Sequence, residues 1–190
     1  MKNSWEIQLS GSGGQGMVLA GLILAEGAVL AGKNVVQTQT YGPEARGGAT
    51  KAEVIVSEGE IDYPKVSKPD LLLAMSQAAF DKYASLIEPG DNTMVLIDST
   101  IVTDLSKGLG NIIALPMTKI AVDDVGKAVV ANMVALGALV TLTKVIPQKC
   151  LEEAALARIP KSSKDLNLKA LRLGCEVAQK ICGECGIAVS

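Results

Sequence analysis

Histidine is absent from all 190 residues of this chain. That absence removes the usual general base, the proton shuttle of neutral pH and the commonest metal ligand together, so bond-making chemistry by this chain alone is not expected. Aromatic residues make up only 3%, which leaves no stacking platform for nucleic-acid bases. Acidic and basic residues nearly balance, 20 against 18, for a net charge of −2. With both signs interspersed, neither nucleic acid nor a lipid surface is an expected partner. Long apolar runs are also missing: the most apolar stretch, Ala128 to Thr143, contains Asn132 and is shorter than the ~20 residues that cross a bilayer. No membrane span is expected. The opening Met1-Lys2-Asn3-Ser4-Trp5-Glu6 has neither the charged segment nor the apolar core of a secretory signal, so the expected location is the cytoplasm.

What is present begins with Gly11-Ser12-Gly13-Gly14-Gln15-Gly16, set between the short alternating run Trp5 to Ser10 and the apolar run Met17 to Ala31. A strand that ends in glycines and turns at once into a helix leaves backbone N–H groups at the positive end of the helix dipole, a seat for an anion or a phosphate. Glycine suits such a turn because it accepts positive φ and lets another surface approach, and a branched side chain at Gly13 is expected to strain it. The spacing Gly11, Gly13, Gly16 also fits the dinucleotide fingerprint. A nicotinamide reader adds an acidic residue about 20 positions on, at the tip of the second strand. Here that tip reads Thr38-Gln39-Thr40, and the carboxylate is missing. A purely structural role, in which the glycines only let helix and strand pack closely, stays open.

Strands are expected at Trp5 to Ser10, Asn34 to Gln39, Ala49 to Ser57, Asp70 to Met75, Met94 to Asp98 and Asn111 to Leu115. Helices are expected at Gln15 to Ala31, at Ser76 or Gln77 to Ile87, at Lys119 to Thr143 with a break, at Pro147 to Ala157 and at Leu166 to Cys182. Lys51 and Glu53 alternate with apolar neighbours, which reads as a half-exposed strand at or near a sheet edge. This strand-then-helix rhythm implies an α/β three-layer sandwich: a mostly parallel, Rossmann-like sheet with helices on both faces and room for one antiparallel edge strand. Nothing divides the chain, so one domain over residues 1–190 is expected. Its length suffices to bury about 70% of the unfolded surface without a staple. In such sheets ligands gather at the carboxyl ends of the strands. The glycine turn, the loop Tyr41 to Gly48, Met75-Ser76-Gln77 and Asp98-Ser99-Thr100 should share that rim, with Asp98 or Ser99 read as a helix or turn cap.

Three features allow more than one reading. The loop Tyr41-Gly42-Pro43-Glu44-Ala45-Arg46-Gly47-Gly48 sets a carboxylate and a guanidinium between glycines. Glu44 and Arg46 either pair locally or reach another surface, where Arg46 can clamp an anion with two parallel hydrogen bonds. The helix after Lys127 is apolar nearly all round and belongs in a core or against a partner. With hydrophobic residues at 48%, some of that burial is expected to be intermolecular. Cys150, Cys175, Cys182 and Cys185 would suffice in number for a zinc or iron-sulfur site, but only the last two are closely spaced. Free structural thiols are the preferred reading, and a redox or metal role stays open.

Gly11 to Gly16 with its Ala- and Leu-rich helix, together with Gly32 to Gly48 (GKNVVQTQTYGPEARGG), resembles the gamma subunit of the 2-oxoacid:ferredoxin oxidoreductases. The similarity runs on through Lys51-Ala52-Glu53-Val54, Pro69 to Met75 and Asp98-Ser99. The resemblance implies an accessory subunit of an enzyme that converts a 2-oxo acid and coenzyme A to an acyl-CoA, carbon dioxide and reduced ferredoxin. It further implies that thiamine diphosphate, magnesium and iron-sulfur clusters lie on alpha, beta and, where present, delta partners. Ferredoxin is then reached through the complex, and no cofactor is held firmly by this chain. Gly-Met-Val-Leu-Ala-Gly after the turn is most like the 2-oxoglutarate members, with pyruvate, branched-chain 2-oxoacid and indolepyruvate enzymes as alternatives. On this reading Gly11, Ser12, Gly13, Gly14, Gln15 and Gly16 meet a coenzyme A phosphate or a neighbouring subunit, Tyr41, Glu44, Arg46 and Gly47 form a subunit contact, and no residue here breaks substrate bonds. The resemblance does not place Cys182-Gly183-Glu184-Cys185. A free-standing nucleotide-binding enzyme remains the contrasting class.

Overall fold

The computed structural model describes residues 2–40, 49–88, 90–105, 109 and 111–185. Six strands form one sheet: β1 (Ser4–Ser12), β2 (Asn34–Thr40), β3 (Ala49–Ser57), β4 (Leu71–Ala74), β5 (Met94–Asp98) and β6 (Ile112–Leu115), in the order β2-β3-β1-β4-β5-β6. The helices are α1 (Met17–Leu30), α2 (Gln77–Tyr83), α3 (Met117–Ile120), α4 (Ala131–Thr143), α5 (Gln148–Arg158) and α6 (Lys164–Cys185). β1, β4, β5 and β6 run parallel, with Leu9 beside Leu73, Leu73 beside Leu96 and Ile97 beside Ala114.

The antiparallel strand is not at the edge. β3 lies between β2 and β1 and is antiparallel to both, with Ser57 opposite Ser4 on one side and Asn34 on the other. Its polar alternation still has a physical reason. Lys51 and Glu53 share the sheet face with Thr38 and Gln8, where the Thr38 hydroxyl donates to Glu53 Oε2 at 3.1 Å and the Lys51 ammonium lies 2.5 Å from Oε1. Charge paired within a sheet face reads in sequence like charge facing water.

α1 covers the other face of this half, and Ile7, Leu9, Val54, Val56, Leu71 and Leu73 of the sheet meet its Ala20, Ile23 and Leu24. α2 covers the opposite face further along, where Phe80 and Tyr83 pack on Leu72, Val95 and Ile97. Ser76 caps α2 as expected, its Oγ accepting from Ala79 N–H at 3.3 Å. Burial pushes the Tyr83 hydroxyl pKa up.

The long helix expected from Lys119 to Thr143 is broken. α3 passes into a widened turn over Ala121–Val125 that ends at Gly126 with φ 91°, and a single tight turn over Ala128–Val130 leads into α4. Every residue of α4 except Thr141 is buried. Its cover is intramolecular: α6 crosses it so closely that a Cβ on Gly137 would stand 2.0 Å from Leu171 O, and one on Gly174 2.0 Å from Val134 O. At that crossing the Cys175 thiol donates to Gly137 O at 3.4 Å, and burial raises its pKa, so it acts as a small apolar group.

Candidate functional site

β1, β2, β4, β5 and β6 end on the same side of the sheet, and β3 begins there. The rim expected from sequence therefore exists among the described residues. Tyr41, Glu44, Arg46 and Gly47 lie outside them, but Thr40 and Ala49, which flank that loop, both stand at this rim.

The glycine turn is built from the end of β1. Gly11 and Ser12 still belong to the ladder, opposite Thr50 and Ala49. The chain then closes a turn with Gln15 N–H donating to Ser12 O at 3.2 Å. Gly14 has φ 89° and Gly16 φ 74°, conformations that side chains on L residues rarely take. Gly13 has neither a positive φ nor any atom within 4 Å of a built Cβ, so the strain expected there belongs to Gly14 and Gly16. A Cβ on Gly11 would sit 2.6 Å from Gln15 Oε1, so the Gln15 side chain would have to shift.

Gln15 spends its amide inside the protein. Its Oε1 accepts from Ser12 N–H at 2.7 Å and its Nε2 donates to Met75 O at 2.8 Å, tying the ends of β1 and β4 together. Gly16 takes the capping position of α1 without a side chain, and its carbonyl accepts from Ala20 N–H at 2.9 Å. Among the described residues no acceptor meets the N–H groups of Met17, Val18 and Leu19. These three donors stand at the positive end of a 14-residue helix, where the backbone favours negative charge.

One residue of the site was not singled out as functional from the sequence. Asn132, in the first turn of α4, is 6% exposed; its Nδ2 lies 3.4 Å from Gly16 O, and among the described residues its Oδ1 has no donor. A buried acceptor without a partner costs about 1–3 kcal/mol. The signal for it was a lone amide in the apolar run from Ala128 to Thr143.

The rest of the rim is braced and partly apolar. Asp98 is fully buried: Oδ1 accepts from Thr100 N–H at 3.1 Å, and Oδ2 accepts from Thr118 N–H at 3.1 Å and from its hydroxyl, so its capping role stands. Gln77 Oε1 accepts from the N–H groups of Thr103 and Asp104 at 3.0 and 3.1 Å, holding the chain after β5 against α2. Leu19 in the first turn of α1, Ile101 and Leu105 after β5, and Val129 just before α4 are exposed large apolar side chains. Among the described residues no three His, Cys, Asp or Glu side chains converge as a metal site, and no helix is long and apolar enough to cross a membrane. Cys150, Cys175 and Cys182 are free thiols.

The family model described as pyruvate ferredoxin/flavodoxin oxidoreductase matches residues 6–177. The 2-oxoglutarate synthase subunit KorC of Methanocaldococcus jannaschii is 46% identical, over 93% of this chain and 95% of that protein. The corresponding subunit of Archaeoglobus fulgidus is 41% identical, over 95% and 91%. The crystal structure of a keto/oxoacid ferredoxin oxidoreductase gamma subunit from Geobacter sulfurreducens superposes with a TM-score of 0.80 at 45% identity, over 93% of this chain and 99% of that one. With a superposable fold and a family match over residues 6–177, this chain belongs to the pyruvate ferredoxin/flavodoxin oxidoreductase family.

Proposed function

We propose that this chain is the gamma subunit of a 2-oxoglutarate:ferredoxin oxidoreductase, which converts 2-oxoglutarate and coenzyme A to succinyl-CoA and carbon dioxide while reducing ferredoxin, and that its rim docks on the catalytic alpha and beta subunits in the cytoplasm. The observation that carries this reading is the coincidence, on one rim, of an uncapped helix N-terminus, a donorless buried Asn132 and exposed apolar side chains. An apolar rim around a polar seat is the anatomy of a subunit interface that encloses a ligand. Similarity to 2-oxoglutarate synthase subunits supports the choice of substrate.

In this reading the N–H groups of Met17, Val18 and Leu19 hold an anionic group such as a phosphate of coenzyme A, and Asn132 Oδ1 accepts from a donor beside it. Gly11 and Gln15 keep the turn in shape, Gly13 and Gly14 offer open backbone to the neighbour, and Tyr41, Glu44, Arg46 and Gly47 extend the subunit contact. Thiamine diphosphate on the partner chains supplies the decarboxylation. Magnesium and the iron-sulfur cluster belong to those chains as well. This chain binds, orients and excludes water.

The test is reconstitution of the host's alpha and beta chains with and without this one, assayed with 2-oxoglutarate, pyruvate, a branched-chain 2-oxo acid and indolepyruvate. CoA-dependent ferredoxin reduction should require this chain and be fastest with 2-oxoglutarate. Full turnover without it would refute the role, and preference for another acid would refute the substrate.

A further inference from the structure

We propose that the free edge of the sheet, strand β2, joins two copies of this chain antiparallel about a twofold axis through Gln37. β2 is outermost: one side pairs with β3 from Asn34 to Thr40, and no strand among the described residues takes the other side. An outermost strand presents a row of free N–H and C=O groups, and proteins guard such edges with charge, proline, a bulge or very short length. β6, at the far edge, is short at four residues. β2 has none of these guards. Its seven residues, Asn34-Val35-Val36-Gln37-Thr38-Gln39-Thr40, carry no charge and no proline and keep an unbroken register with β3. α1 packs on one face of this strand, where the Gln37 amide approaches Gly21 and Nε2 donates to Thr38 O at 3.2 Å.

A second copy fits this edge because the strand is complementary to itself. Backbone groups that face outward alternate along a strand, and antiparallel partners that exchange both hydrogen bonds come from the same alternate set. A twofold axis through Gln37 meets that condition whichever set faces out. It places Val36 opposite Thr38, Val35 opposite Gln39, Asn34 opposite Thr40, and Gln37 opposite its own copy. No pair sets like charges together, the Val36 and Thr38 pair is β-branched on both sides, and each Gln37 amide keeps its carbonyl oxygen and one N–H beyond the one given to Thr38 O. The pairing would form about six to eight backbone hydrogen bonds and a single sheet continuous across the two copies. Because β2 flanks the sheet while the rim caps it, such a dimer leaves both rims free for other subunits.

The position of Gln37 on the axis supplies the test. Sedimentation velocity of the purified full chain over about a hundredfold range of concentration should show a monomer–dimer equilibrium. Gln37→Lys and Gln37→Glu each place like charges face to face and should weaken dimerisation about tenfold or more. An equimolar mixture of the two should dimerise again. Circular dichroism establishes that both variants fold. Should either not fold, hydrogen exchange at the β2 amides of the unmodified chain decides, with protection rising with concentration expected. A chain that stays monomeric throughout, a dimer indifferent to both substitutions, a mixture that does not recover, or β2 exchange independent of concentration would each overturn the proposal.

Discussion

Replacing Asn132 with alanine separates a group kept for a ligand from a group kept for the fold. In the free chain the side chain makes one long contact, Nδ2 to Gly16 O at 3.4 Å, which lies near the limit of a hydrogen bond and is worth no more than about 0.5–1 kcal/mol. Among the described residues its buried Oδ1 has no donor, and relief of that acceptor returns about 1–3 kcal/mol. Alanine in place of asparagine within α4 adds roughly 0.5 kcal/mol of helix propensity. The space vacated costs about 1 kcal/mol. The sum runs from about −0.5 to about 2 kcal/mol in favour of the variant, whereas deleting a fully bonded buried amide costs about 1–3 kcal/mol. Denaturant titration of the purified chain measures this, and turnover of the reconstituted complex as a function of coenzyme A measures the other side of the exchange. The expected result is a chain of equal or greater stability in a complex with raised KM for coenzyme A. A variant destabilised by more than about 1 kcal/mol in a complex of unchanged KM would show that the amide serves the fold, and the reasoning would fail.

The glycine turn offers a paired comparison: Gly14→Ala should cost about 1–2 kcal/mol for its positive φ, and Gly13→Ala should fall within about 0.5 kcal/mol of the unmodified chain. Equal melting curves for the two would refute the assignment of strain. At the α4–α6 crossing, Gly137→Ala drives a methyl into the Leu171 carbonyl and should cost about 3 kcal/mol or more, despite about 1 kcal/mol gained in helix propensity. A loss under about 1 kcal/mol by denaturant titration would contradict that packing.

Much of the architecture was legible because β4 and β5 are short apolar runs ended by turn residues. Leu71 to Ala74 is buried at all four positions, as its composition required. Strand order was less legible. Nothing in Lys51 and Glu53 reveals that the chain returns after residue 48 to place β3 between two neighbours. The tight turn from β1 into α1 could be read from Gly11 to Gly16, but the division of labour within it could not, because φ at Gly14 and Gly16 and the inward turn of Gln15 are properties of the closed loop. Asn132 was invisible as part of the site for a plainer reason: it lies 116 residues from Gly16, and only packing brings them together. The all-apolar helix gave no clue to which surface covers it, since Leu171 and Gly174 meet it through backbone.

Gln15 has a mechanical consequence. β1 feeds α1 on one face of the sheet and β4 feeds α2 on the other, so the gap between those two strand ends is the crevice into which open α/β sheets usually admit a nucleotide. Here one glutamine side chain bolts the crevice shut from Ser12 to Met75. In the proposed function, a ligand at this end of the sheet rests on a closed surface, and the subunit serves as a lid over a chamber whose floor belongs to another chain.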